Sequence, residues 1–326
     1  MSMSDVVSEQ TVLALMGPTG SGKTDLVVRL DPRRYEVVSC DSRQVYQELD
    51  IGAATPTAKE QAAIPHHLVQ FLTPDRKIDV GLYIKMARAV IADIFERGRQ
   101  PIIVGGTGFY YRALKTGLFE VQVPDAIRDR VEAMPHSKRL ERLRELDAGV
   151  ILPTDAGLHP RAGHIHPNDR YRVQRALEVS LTTGKPWSNL WREVQNGANL
   201  AAAPWHFHGW RLEMPRDEYF ERLHVRAERM VQAGFVSEAR AIFAKYGMCP
   251  GLKTLGYREA LAALQTELSD EELIANLAIA HRQYGKRQRT WFRRESELVA
   301  IQAADFARVM KYFEQTGQVI GSDLPV

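Results

Sequence analysis

Only two cysteines, Cys40 and Cys249, occur in 326 residues, and they lie far apart. That leaves no disulfide framework and no cysteine metal pattern, and it points to a reducing compartment. No run of about 18 apolar residues is present, so no membrane span is expected. The opening stretch, MSMSDVVSEQ, lacks a cationic end followed by an apolar segment. No secretory leader is therefore expected, and the cytoplasm is the expected location. Charge of either sign is not in large excess: 43 Lys and Arg face 40 Asp and Glu, for a net +3. Such a balance permits an acidic partner without demanding one. His159, His164 and His166 match no helix or finger spacing and have no cysteine beside them, so they read as loop histidines. The composition that remains, 44% apolar and 25% charged, is that of an ordinary globular protein.

The pattern of apolar residues alternates between strand and helix. TVLALM (11–16) predicts a buried strand, then a glycine-rich turn and a short helix from about Lys23 to Leu30. YEVVSCD (35–41) reads as a second strand and HHLVQFL (66–72) as a candidate third. Val80, Ile84, Ala87, Ile91 and Ile94 recur at helical spacing, and Gly98 closes that helix. PIIV (101–104) is a short strand before a tight loop, GGTG (105–108). From about Pro124 the chain becomes charged, helical and poor in strand formers. Asn168 and Asp169 signal a helix start, NGANLAAAPW (196–205) reads as a linker, and HFHGWRLEM returns as a strand. The rest, from Pro215, is expected to be mostly helical. The expectation is an α/β fold with a parallel sheet flanked by helices. Its core combines residues 1–125 and 200–326, and residues 126–199 form a helical insertion.

Ligands of such sheets bind beyond the carboxyl ends of the strands. Three loops are expected there. The first, Gly17-Pro18-Thr19-Gly20-Ser21-Gly22-Lys23-Thr24, has the spacing of a phosphate loop. Its amides would cradle an anion, Lys23 would reach the outer phosphate, and the Thr24 hydroxyl would ligate Mg²⁺. The pattern specifies an anion rather than a nucleotide. No acid follows PIIV to hold the metal, as is usual in nucleotide hydrolases of this type. Asp41, after the second strand, is open to three readings: a group near the metal, a general base, or a helix N-cap. Thr107, between glycines, either donates its hydroxyl to a leaving oxygen or merely shapes a turn.

Cations gather late in the chain. HRQYGKRQRTWFRR (281–294) contains no acid, and Arg282, Lys286, Arg289 and Arg293 share one helical face. Tyr284 and Trp291 lie on another stripe. The face suits a nucleic-acid backbone, or it is a solvated face over core aromatics. Arg170, Arg172 and Arg175 form a second basic set, and Lys253 with Arg258 a third. Arg222 and Arg226 share a face, held together either by an anion or by Glu218, Glu221 or Glu228.

Taken together, GPTGSGKT, DSRQVY, DIGAATP, PHHL, GGTGFYYRAL, HPNDRYRVQRALE, LGYRE and KRQRTWFRR resemble the tRNA dimethylallyltransferases, in the family's order and over nearly the whole chain. The resemblance implies transfer of a dimethylallyl group from dimethylallyl diphosphate to N6 of adenosine 37 in the anticodon stem-loop of tRNA, with Mg²⁺. A monomer is expected. The resemblance casts Asp41 as the partner of the N6 amine, Thr107 as a catalytic group near the diphosphate, and Arg226, with Arg222 one turn away, as the diphosphate clamp. Asp41, Ser42, Arg43, Gln44 and Thr107 match tRNA-contacting positions, with Arg128 as a further one. So do Tyr171, Arg172, Val173, Gln174 and Arg175, then Lys253, Thr254, Leu255, Gly256, Tyr257 and Arg258, then Lys286, Arg287, Arg289 and Arg293. The chain departs from the family at Gly52-Ala53-Ala54-Thr55-Pro56, where a lysine usually precedes the proline. Gly20 and Gly285 stand where alanine is common, a change expected to matter little. The alternatives are an adenylate isopentenyltransferase acting on free AMP, ADP or ATP, a small-molecule kinase, and a non-catalytic RNA-binding protein switched by a nucleotide.

Overall fold

The computed structural model describes residues 10–118, 121–152, 164–195, 202–266 and 268–321. His159 and part of the expected linker lie outside the described residues. The chain divides into two compact units, Met1–Lys115 with Ala203–Val326, and Thr116–Ala202.

The first unit is built on six strands: β1 (Thr11–Met16), β2 (Tyr35–Cys40), β3 (His66–His67), β4 (Gln100–Gly105), β5 (His206–Leu212) and β6 (Leu298–Ile301). They pair in the order β3-β2-β4-β1-β5-β6, every pair parallel. Val12–Met16 are wholly buried, as strands covered on both faces must be. The flanking helices are α1 (Lys23–Val27), α2 (Ala58–Ala63), α3 (Val80–Glu96) and α4 (Gly108–Thr116). After the insertion, α5 (Asp125–Glu132), α6 (His136–Leu146), α7 (Arg170–Thr183) and α8 (Trp187–Gln195) having belonged to the other unit, come α9 (Arg216–Gln232), α10 (Phe235–Tyr246), α11 (Tyr257–Thr266), α12 (Asp270–Phe292) and α13 (Phe306–Thr316).

Four local differences from the sequence pattern have physical causes. Helix α1 stops at Val27, because Arg29 and Leu30 bond back three residues and Asp31-Pro32 follows. HHLVQFL pairs only at His66–His67, since Leu68 and Gln70 take left-handed backbone angles, φ 61° and 51°, and turn the chain off the sheet. The GGTG loop yields at once to α4. Strand β6 has no counterpart in the sequence pattern: LVAI is too short to stand out after a long helix, and it takes its hydrogen bonds from the edge of β5.

A second apolar core joins α9–α12 to the segment 45–53, with Phe235, Tyr257 and Leu277 at its centre. Glu238 on α10 accepts the N–H groups of Asp50, Ile51 and Gly52 at 3.0, 2.8 and 3.1 Å, and the Tyr257 hydroxyl at 2.6 Å. One carboxylate thus anchors the DIGAATP segment. In the other unit, Leu143, Val150, Ile165, Val173 and Ala176 form the core, and Asp169 caps α7 by accepting from the Arg172 N–H at 3.1 Å.

Candidate active site

Met16, Gly105 and Cys40 occupy one register row of β1, β4 and β2. Because β4 lies between the other two, the loops that leave this row are neighbours. Gly17 N–H donates to Gly105 C=O at 3.2 Å, and Thr107 N–H to Cys40 C=O at 3.0 Å. The three loops expected from sequence therefore meet, beyond the carboxyl ends of the strands.

They open onto a cavity of about 1130 Å³, lined by the phosphate loop, Asp41, Gln44, Asp50, Ile51, residues 53–58, Gly105, the α9 face from Glu221 to Met230, and Gln288. Lys23 donates to the Gly17 and Pro18 carbonyls, both at 2.9 Å. Burial pulls its pKa down to about 8, with Arg226 adding to the fall and Asp41 opposing it. Helix α9 lies against the loop: the Arg222 guanidinium comes within 3.0 Å of where a Cβ on Gly22 would stand. Gly20 and Gly22 have φ of 76° and 84°, so alanine at either is strained whatever the space. The alanine common in the family at position 20 would also meet Leu223 at 2.9 Å, so the departure there is not neutral.

Among the described residues, Arg222 and Arg226 take none of the acids expected on their own helix. Glu228 pairs with His224 at 3.5 Å, and Arg226 Nε is buried without a hydrogen-bond partner. Desolvation, then the neighbouring Arg43, lowers the Arg226 pKa to about 10 against the pull of Asp41. A guanidinium and an ammonium so placed are short of negative charge, which an anion in the cavity would supply.

Asp41 caps a turn, its Oδ1 accepting from the Arg43 N–H at 2.9 Å. No helix starts there, so the N-cap reading is set aside. Thr107 is engaged as well: its Oγ1 accepts from the Ser42 N–H at 3.0 Å and lies 3.3 Å from the Ser42 hydroxyl. Neither Thr107 nor Ser42 lines the cavity.

Several residues placed on tRNA by sequence turn inward. Arg43 is 7% exposed, its guanidinium 4.4 Å from the Tyr284 ring centroid. Val173 is core of its own unit, and Tyr257, wholly buried, spends its hydroxyl on Glu238. Gly256 is buried too. These four support their segments instead of presenting a side chain to a partner. Exposed members are Arg128, Tyr171, Arg172, Lys253, Arg258, Lys286, Arg287 and Arg293; Ser42, Gln44, Gln174, Arg175, Thr254, Leu255 and Arg289 are half-buried. On α12, Arg282 and Arg289 stack on Phe220 and Tyr219, at 3.9 and 4.6 Å from the ring centroids. The basic face is thus steadied by aromatic residues of α9.

The buried face of α12, next round from the cations, carries residues that charge alone does not reveal. Leu277, His281, Gly285, Gln288 and Phe292 are buried at spacings of four, four, three and four. That spacing marks a core face, and two polar residues in it are the signal that sequence offers. Gln288 Oε1 accepts from the Thr19 N–H at 2.9 Å, and Nε2 donates to the Gly106 carbonyl at 2.8 Å. His281 is fully buried with neither ring nitrogen hydrogen-bonded. Desolvation, then Arg226 and Arg43, hold its pKa down to about 3.

Among the described residues no helix is long and apolar enough to cross a membrane. Comparison with known proteins gives a consistent family. The model of the IPP transferase family matches residues 44–295. The tRNA dimethylallyltransferase of Leptospira interrogans is 38% identical over 309 residues, 93% of this chain and 99% of that protein. The solved structure of the full-length tRNA isopentenylpyrophosphate transferase of Bacillus halodurans superposes with a TM-score of 0.65 at 30% identity, covering 94% of this chain and 96% of that one. A eukaryotic dimethylallyltransferase acting on tRNA shares the fold, with a TM-score of 0.80 at 23% identity over 97% of this chain and 82% of its own. A phosphate loop, an arginine helix laid across it and a carboxylate at the next strand end occur together in a chain whose relatives match it almost end to end: it belongs to the IPP transferase family.

Proposed function

We propose that this chain transfers a dimethylallyl group from dimethylallyl diphosphate to N6 of adenosine 37 in the anticodon stem-loop of tRNA, releasing diphosphate. The names of its relatives support the reaction class. One observation carries the assignment of parts: Lys23, Arg222 and Arg226 flank the glycine loop in the same cavity as Asp41.

The adenine amine is a poor nucleophile, because its lone pair is delocalised into the ring. Asp41 Oδ accepts its proton as nitrogen attacks the allylic carbon. The carbon–oxygen bond to diphosphate breaks, and charge grows on the departing oxygens. Lys23, Arg226, Arg222 and the loop N–H groups take up that charge. Thr107 holds Ser42, and through it the turn that carries Asp41, in place. Among the described residues no cluster of three or more acids, histidines or cysteines could hold a metal by itself. Mg²⁺ would need few protein ligands here, because phosphate oxygens and water would fill the rest of its shell. Thr24, in the cavity lining, would be its protein ligand, and the ion would neutralise diphosphate charge. The adenine leaves its stack to enter the cavity, while exposed Lys286 and Arg287 engage the RNA backbone.

The test is mass spectrometry of unmodified tRNA and, in parallel, of AMP, after incubation with the protein, Mg²⁺ and dimethylallyl diphosphate. A prenyl mass on A37 of tRNA, with AMP unchanged, is expected. Prenylated AMP with untouched tRNA would move the chain to the free-nucleotide enzymes, and no prenylation of either would end the proposal.

A further inference from the structure

The outer, cationic face of α12 is legible as an RNA-binding surface. Its buried face has no such explanation. There Gln288, 5% exposed, sends a single amide into the gap between two of the three active-site loops. Its oxygen takes the Thr19 N–H of the phosphate loop, and its nitrogen gives to the Gly106 carbonyl, the residue before Thr107.

Only one orientation of a carboxamide meets both partners, since one is a donor and the other an acceptor. A carboxylate lacks the donor, and a methionine lacks the donor and offers only a weakly accepting sulfur. The approach is close as well: a Cβ on Gly106 would stand 2.2 Å from Gln288 Nε2. Glycine there makes room for the amide. Among the described residues, the two loops have one direct backbone link at their roots, from Gly17 N–H to Gly105 C=O. Gln288 adds a second brace further along, between the phosphate loop and the residue before Thr107, which holds the turn carrying Asp41.

We propose that Gln288 is a positioning residue that keeps the phosphate loop and the Gly105–Gly108 loop in register. This rests on the prenyl transfer proposed above. Without the amide, the Thr19 N–H and the Gly106 carbonyl lose their partner, and the loops can shift by a fraction of an ångström. Misplacement of that order costs turnover steeply. Because Gln288 faces inward while Lys286 and Arg287 face solvent, the loss falls on the donor and spares RNA affinity.

Gln288→Met, similar in length and without the amide, is compared with wild type for thermal midpoint, tRNA affinity, inorganic diphosphate affinity, and kcat and KM for dimethylallyl diphosphate. The expected result is a folded protein with tRNA affinity within about twofold, weaker diphosphate binding, and kcat/KM for the donor down by about 10- to 100-fold. Unchanged donor kinetics and diphosphate affinity overturn the proposal. So does an equal loss of tRNA affinity, which would make Gln288 a mere support of α12. If the wild type transfers no prenyl group, the reaction is wrong, and the diphosphate binding still reports on Gln288. Should Gln288→Met not fold, Gly106→Ala is placed in wild type and in Gln288→Ala. The alanine should harm diphosphate binding at least about fivefold less in the second background, where its clash partner is gone. Additive losses overturn the inference.

Discussion

Tyr219 donates its hydroxyl to the Thr19 carbonyl at 3.0 Å, so a side chain on α9 holds the backbone of the phosphate loop. It reaches there across Gly285 of α12, where a Cβ would stand 1.9 Å from that hydroxyl. By family pattern alone, alanine at 285 looks harmless. In a helix interior it would even be worth about 1 kcal/mol by propensity. The close approach reverses that: Gly285→Ala should destabilise by about 1–3 kcal/mol, as overpacking does, and should raise KM for the prenyl donor. Adding Tyr219→Phe, which deletes the crowded oxygen but leaves the ring carbon Cζ at 2.9 Å, should restore part of the stability in urea unfolding. A Gly285→Ala protein more stable than wild type, with unchanged KM, would mean that Tyr219 does not pack on Gly285.

Lys23 ties donor binding to pH. With its pKa down to about 8, it loses its charge in the free protein as pH rises through that value. A bound diphosphate favours the charged form, so binding at higher pH requires uptake of a proton. kcat/KM for the donor should therefore fall above pH about 8, approaching roughly tenfold per pH unit. Affinity for inorganic diphosphate should follow the same curve. A profile flat to pH about 10 in both would remove Lys23 from the anion site.

His281 bears on stability in acid. Its folded pKa of about 3 lies below the ordinary value of 6.5. The folded protein keeps the ring neutral while the unfolded chain takes a proton below pH 6.5. Stability linked to this residue is whole above pH 6.5 and is lost as pH falls toward 3, at up to about 1.4 kcal/mol per pH unit. His281→Leu should flatten the difference between urea unfolding at about pH 7.5 and at about pH 5. An identical acid dependence in the variant would contradict the buried, neutral ring.

The exposed cations of α12 should act on RNA and not on chemistry. Lys286→Ala and Arg287→Ala should each weaken tRNA binding and lessen the slope of log affinity against log salt, by roughly 0.7–1 for each phosphate no longer neutralised. Turnover at saturating tRNA should stay near wild type. A fall in turnover with an unaltered salt slope would place these residues elsewhere.

The parts read correctly from sequence are those marked by local chemistry. Glycines and a lysine at set spacing disclose the phosphate loop, and β-branched runs disclose the central strands. Arg222 and Arg226 are legible as a pair, though only the fold shows that they line the cavity beside the glycine loop. Residues that act by reaching across the chain are not legible. Gln288 hides among arginines, and its partners Thr19 and Gly106 stand 269 and 182 residues away. Glu238 looks like any helical surface acid, yet it gathers three backbone N–H groups from a distant loop. Tyr257 and Val173 lie in motifs that match RNA-contacting segments, and a motif match does not separate the residue that touches a partner from the one that holds its neighbour upright. Long-range hydrogen bonds leave no periodicity to detect.

The chain leaves the first unit at Lys115 and comes back at Ala203, whose N–H donates to the Lys115 carbonyl at 3.2 Å. Departure and return thus form a single closed doorway, and strand β5 is pinned to β1 directly beyond it. To the sheet, everything between is a loop with its ends already joined, and the entropy of such a loop grows only with the logarithm of its length. The segment behind the doorway is free to lengthen, shrink or be exchanged for another without disturbing Met16, Gly105 and Cys40 in their shared row.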